Sequence, residues 1–146
     1  MFYRGGWCPF CNFQIRALAE GAPQFAARGL TLVAVSVDEP DAGARTRALY
    51  SLPFPVLSDP DLAFIDGFHV ANKVGDAELA RLKGFGMDLE ASSGRTHHVI
   101  AIPSMFLIDK TGVVRWAHSE PDYKTRPSVT QILAALDAQP GLLPTR

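Results

Sequence analysis

Cysteine is scarce: two in 146 residues. That excludes the disulfide framework of a small secreted scaffold. An excess of charge of one sign is also lacking. Fourteen Lys and Arg stand against fifteen Asp and Glu, a net charge of −1. Nothing therefore points to nucleic acid or to an anionic membrane as partner. No run approaches the roughly eighteen consecutive apolar residues of a membrane span. The residues before Trp7 show no basic segment followed by an apolar one, the pattern of a secretory leader, so a cytoplasmic location is expected. No glycine-rich phosphate loop follows a strand, so neither a nucleotide nor a haem cofactor is implied.

What remains is ordinary in bulk. The apolar fraction of 47% and charged fraction of 20% suit a globular chain. This length buries enough surface to fold without staples, and one domain over residues 1–146 is expected. Pro9 opens a helical pattern in which Cys11, Ile15, Leu18, Ala22 and Phe25 share one face. Gly21 and Pro23 are expected to break or kink it, and Gly29 to close it. The β-branched run 30–37 reads as a buried parallel strand. A helix over 41–52 behind an Asp cap, a short strand at 55–57 and a helix capped by 58–61 follow. A helix over 76–83 precedes a loop or lid over 84–95. Strands at 104–109 and 113–118 flank the hairpin turn Lys110-Thr111-Gly112. A helix over 127–138 ends the chain, with Val129, Ile132, Leu133 and Leu136 inward. The alternation predicts an α/β fold: a central mixed sheet with helices on both faces. Only Met1-Phe2-Tyr3 precede the active segment as strand, too short for a central strand. Strands upstream of residue 1 in the natural protein are therefore expected.

Both cysteines fall in Phe2-Tyr3-Arg4-Gly5-Gly6-Trp7-Cys8-Pro9-Phe10-Cys11-Asn12. A thiol must ionise before it attacks peroxide or disulfide, and a helix N-terminus favours the thiolate through its free N–H groups and partial positive charge. Cys8 sits where the chain enters the helix. Cys11 lies one turn in, on the inward stripe. The asymmetry predicts Cys8 as exposed attacker and Cys11 as sheltered resolver. Arg4 is placed to add positive charge, though a solvated arginine is an equal reading. A zinc site needs two more ligands, and His97 and His98, being adjacent, point opposite ways on an extended chain. No metal is expected. Trp7 reads equally as a shield of the thiols and as a packing tryptophan. One of His97 and His98 is a candidate acid or base. His69 and His118 read as ordinary partly buried histidines. Asp38 reads as a turn former, and Tyr123, Lys124 and Arg126 as residues of the turn before the last helix.

The segment Trp7-Cys8-Pro9-Phe10-Cys11 resembles the thioredoxin-superfamily active site. Ile102-Pro103-Ser104, directly before a strand, resembles the cis-proline landmark of that fold, which implies Pro103 beside Cys8 with a cis bond. Ser36-Val37-Asp38, the stretch 53–60 and the stretch 106–116 are similar to the alkyl hydroperoxide reductase/thiol-specific antioxidant (AhpC/TSA) family. The opening 3–11 and the late 121–126 resemble a bacterial peroxiredoxin-like subgroup. Aligned on the peroxiredoxin pattern Pro-x-x-x-Thr/Ser-x-x-Cys, Arg4 stands at the Pro, Cys8 at the Thr and Cys11 at the peroxide-attacking Cys. Pro103 stands where that family carries an arginine. The thioredoxin pattern instead makes Cys8 the attacker and puts Phe2 where a buried carboxylate is common. The resemblance implies a thiol-dependent antioxidant oxidoreductase working through a Cys8–Cys11 dithiol/disulfide cycle, supported by Trp7, Pro9, Pro103 and Arg4. Its substrate is a hydroperoxide or a disulfide, its reductant of thioredoxin or glutathione type. With the Thr and the arginine replaced, peroxide reduction is expected to be slower than in a typical peroxiredoxin. The rivals are a thioredoxin- or glutaredoxin-like disulfide reductase without peroxidase activity, and a non-catalytic binding domain that keeps the fold.

Overall fold

A computed structural model describes residues 1–139. The elements run α1 (Pro9–Ala26), β1 (Ala34–Ser36), α2 (Pro40–Leu49), β2 (Val56–Ser58), α3 (Ala63–Gly67), β3 (Ala71–Lys73), α4 (Asp76–Gly84), α5 (Leu89–Ser93), β4 (Val99–Ala101), β5 (Ser104–Ile108), β6 (Val114–Ser119) and α6 (Val129–Asp137).

β1 pairs in parallel with β2, and β5 pairs antiparallel with β6. Phe2 joins the two halves by a parallel bridge to Val35 and an antiparallel bridge to Ser104. Four backbone hydrogen bonds make the joint: Phe2 N–H to Ser104 O (2.8 Å), Ser104 N–H to Phe2 O (3.1 Å), Tyr3 N–H to Val35 O (3.0 Å) and Val35 N–H to Met1 O (2.9 Å). The result is a mixed sheet in the spatial order β2, β1, Phe2, β5, β6. β3 and β4 form a separate antiparallel pair.

Side chains alternate across a strand with period two, and two cores follow from it. Tyr3, Ala34, Met105 and Leu107 face Ile15, Leu18 and Phe25 of α1 and Ile132, Leu133 and Leu136 of α6. Phe2, Val35 and Val37 face the other way, onto Ile65 of α3, Leu82 of α4 and Leu89 of α5. Helices thus cover both faces, as the sequence pattern predicts, and the fold is thioredoxin-like.

Three local expectations need correction. α1 runs unbroken through Gly21 and Pro23. Pro23 lies one turn from the helix end, so its missing N–H removes a single bond. Gly21 is a packing residue: a Cβ there would stand 2.8 Å from Val129 Cγ1, so it lets α1 and α6 approach. The 84–95 segment is not an open loop. Asp88 caps α5 inside it, accepting from the N–H groups of Glu90 (3.0 Å) and Ala91 (3.1 Å). The strand 30–37 shrinks to three residues, and β3 and β4 go unannounced because each is only three residues long, too short for a period to show.

Candidate active site

Cys8 is the N-cap of α1, with extended φ/ψ of −86° and 114°, and Pro9 begins the helix. The Cys8 N–H donates to Gly5 O (3.1 Å), and the Cys8 carbonyl accepts from Asn12 N–H (2.9 Å). The Asn12 side-chain amide donates to Gly6 O (2.8 Å), closing the loop on the helix. Gly5 has φ +152°, and a Cβ there would collide with the Trp7 indole; a Cβ on Gly6 would collide with the Thr46 hydroxyl. Both glycines are therefore dictated by close approach.

Both cysteines are free thiols. Cys8 is 1% exposed and Cys11 0%, so the expected exposure of Cys8 is corrected. Arg4 and the segment before α6 pack around the cysteine loop. The Arg4 guanidinium lies 4.4 Å from the Tyr123 ring centroid and 5.1 Å from that of Trp7. Phe10 meets Tyr123 edge-on at 5.4 Å. Arg126 reaches the inner thiol. Its Nη2 donates to Cys11 Sγ (3.2 Å), its Nη1 to Gln14 Oε1 (2.9 Å) and its Nε to Tyr123 O (2.9 Å).

The two thiols are pushed apart. Cys8 is lowered from 9.0 to about 6, chiefly by the hydrogen bond from the Cys11 side chain; burial opposes this, and Arg4 and Arg126 assist it. Cys11 is raised, first by burial and then by donating to Cys8. The arrangement favours one thiolate at Cys8 and one thiol at Cys11.

Arg4 stacks on Trp7, and Trp7 packs against the core cluster that holds both cysteines. Pro103 is buried and walls a cavity with Arg4 and Tyr123, but no peptide bond in the described residues is cis, so the cis expectation is corrected. His97 and His98 face apart, the first toward Pro60 O (2.8 Å) and the second toward Glu90 Oε1 (2.7 Å). Two residues do more than the sequence predicts. Arg126, a residue of the turn before α6 through its bond to Tyr123 O, also touches a thiol 115 positions away, and no spacing signals such a contact. Asp38, expected as a turn former, is 2% exposed. Its Oδ2 accepts from Gly6 N–H (2.7 Å) and its Oδ1 from Ser92 Oγ (2.5 Å), tying the cysteine loop to α5. Its place at the carboxyl end of a parallel strand, where α/β sites gather, was the available signal.

Comparison with known proteins agrees. The AhpC/TSA family model matches residues 1–117. A Mycobacterium tuberculosis protein carrying a peroxiredoxin name is 37% identical over 60 residues, 41% of this chain and 38% of that protein. The match thus spans well under half of that relative's length. A mutant of Xanthomonas campestris peroxiredoxin Q superposes with TM-score 0.70 at 23% identity, covering 94% of this chain and 75% of that one. The Xanthomonas campestris bacterioferritin comigratory protein, whose structure concerns alkyl peroxide reduction, gives TM-score 0.69 at 21% identity, with the same coverages of 94% and 75%. These likenesses under 25% show the thioredoxin-like fold. The family model, matching most of the chain, shows more: this protein belongs to the AhpC/TSA family.

Proposed function

We propose that the chain is a thiol-dependent peroxidase of peroxiredoxin type, cycling between a Cys8/Cys11 dithiol and a Cys8–Cys11 disulfide. The observation that carries it is the split pair: a favoured thiolate at the helix cap and a protonated partner one turn inside. The Cys8 thiolate attacks the nearer oxygen of a hydroperoxide. An S–O bond forms and the O–O bond breaks. The leaving oxygen takes the Cys11 proton and departs as alcohol or water. The new Cys11 thiolate, held by the Arg126 guanidinium, attacks the Cys8 sulfenic sulfur; hydroxide leaves and gains a proton as water. A thioredoxin- or glutathione-type thiol, in a reducing compartment such as the cytoplasm, restores the dithiol. Arg4 and Arg126 supply the positive charge that the family pattern places at position 103, and donors aimed at developing charge are where such catalysis is gained. Trp7, Pro9 and Pro103 shape the surroundings of the pair. The two cores on one sheet support a single domain. A second reading, disulfide exchange without peroxide turnover, is favoured by the same low Cys8 pKa and by Pro103 standing where the family arginine does.

The test is rapid mixing of reduced protein with hydrogen peroxide, following tryptophan fluorescence and mass. Wild type is expected to form Cys8–Cys11 much faster than free cysteine reacts. Cys11→Ser should accumulate sulfenic acid on Cys8, and Cys8→Ser should be inert. A wild-type rate no greater than that of free cysteine would overturn peroxidase activity and leave disulfide exchange.

A further inference from the structure

Beside the cysteine loop, on the Arg4 side, lies a cavity of about 420 Å³ walled by Arg4, Lys73, Glu78, Arg81, Pro103 and Tyr123 among others. That volume falls within the roughly 300–1,000 Å³ of small-molecule sites. Its charge is lopsided. Among the described residues lining it, three are cations and Glu78 alone is a carboxylate. Glu78 is held by Arg81 at 2.8 Å and stands 3.9 Å from Arg4. The Lys73 ammonium donates to the His97 carbonyl, a neutral partner that leaves its charge uncompensated. Arg4 belongs to two places at once: it walls the cavity, and its charge acts on Cys8.

We propose that this cavity binds a low-molecular-weight thiol bearing carboxylates, of the glutathione class, as the reductant of the Cys8–Cys11 disulfide. The inference rests on the dithiol/disulfide cycle proposed above and names its electron donor. The carboxylates sit among Lys73, Arg81 and Arg4. A carboxylate is a stronger partner for a guanidinium than an aromatic face is, so binding draws Arg4 off the Tyr123 ring and uncovers Cys8. The donor thiolate then attacks Cys8 Sγ. A mixed disulfide forms, the Cys8–Cys11 bond breaks, and Cys11 leaves as a thiolate beside Arg126 and takes up a proton. A second donor thiolate attacks the donor sulfur. The donor disulfide is released, and Cys8 is restored as thiolate. Two thiols are oxidised and one protein disulfide is reduced.

The test starts from Cys8–Cys11 disulfide prepared with diamide, so it does not depend on peroxide turnover. Reduction rates are measured with glutathione and with cysteamine, a cationic thiol. Their ratio is divided by the same ratio for a small unstructured disulfide, which removes intrinsic reactivity. The expected preference for glutathione is about tenfold at low ionic strength, collapsing toward unity at high salt. Lys73→Glu with Arg81→Glu, both at exposed side chains, should reverse the preference while leaving reduction by uncharged dithiothreitol unchanged. A corrected ratio near one in wild type, or one that neither salt nor the charge reversal moves, would overturn the proposal. Failure to form the disulfide even with diamide would instead sink the dithiol cycle itself.

Discussion

At Cys8, burial and hydrogen bonding pull in opposite directions, and hydrogen bonding wins: the thiol falls to about 6, with the Cys11 side chain as the largest cause. The pH dependence of alkylation by iodoacetamide should therefore turn near pH 6 in reduced wild type. In Cys11→Ala the turn should move well up toward the ordinary thiol range, because the main donor is gone. An unmoved profile would mean that the helix cap and the arginines set the value instead. The same shift affects stability. A folded-state pKa below the unfolded one contributes stability that is fully present above the unfolded value, near 9, and is lost as pH falls through the folded value, near 6. For Cys8 alone the slope is about 1.4 kcal/mol per pH unit in that window. At this scale the sequence was partly legible. The positions of Cys8 and Arg4 follow from their distance to the helix start. Arg126 and Asp38 do not, because chain separation carries no record of which loop returns to a site. The burial of Cys8 is not legible in the sequence either, because residues that pack around the pair, such as Tyr123 and Arg126, come from more than a hundred positions downstream.

Among the elements, α1 and α6 meet where Gly21 faces Val129. Alanine at position 21 would gain about 1 kcal/mol of helix propensity. Its Cβ would also stand 2.8 Å from Val129 Cγ1, and overpacking of that kind costs roughly 1–3 kcal/mol. The clash outweighs the propensity, so Gly21→Ala should lower the denaturation midpoint. Adding Val129→Ala should recover part of the loss, giving a non-additive pair. A Gly21→Ala variant as stable as wild type would show that the helices can part without cost. The helices were the easiest elements to read because their apolar stripes are long. α6 even carries a reciprocal cap: Gln131 N–H donates to Ser128 Oγ (3.2 Å), and Ser128 N–H donates to Gln131 Oε1 (2.8 Å). Strands of three residues defeat periodicity, which is why nothing in the sequence announces β3 and β4 and the run 30–37 predicts a longer strand than forms. Gly21 misled because a glycine inside a helix pattern signals either a break or a close neighbour, and only the partner decides.

For the whole molecule, the two halves of the sheet are joined through Met1, Phe2 and Tyr3. Phe2 bridges Val35 and Ser104, and its ring packs 5.0 Å from Phe68 and 5.9 Å from Phe106. The cysteine loop therefore hangs from the seam between the two halves of the sheet. Opposite it, the segment from Pro121 to Pro127 is held over the pair by Tyr123 on Arg4 and by Arg126 on Cys11. In the reduced protein the charges of both guanidiniums favour the thiolate at Cys8. In the proposed cycle, oxidation to Cys8–Cys11 would delete that charge and leave the cations facing a neutral sulfur bridge. The segment's anchor is then expected to weaken when the pair is oxidised and to return when it is reduced. Trypsin should accordingly cut after Lys124 faster in the oxidised protein than in the reduced one, and equal rates would show that the aromatic contacts alone hold the segment. Faster cutting would mean that two buried sulfurs write their state onto the surface, where another molecule could read it without touching either of them.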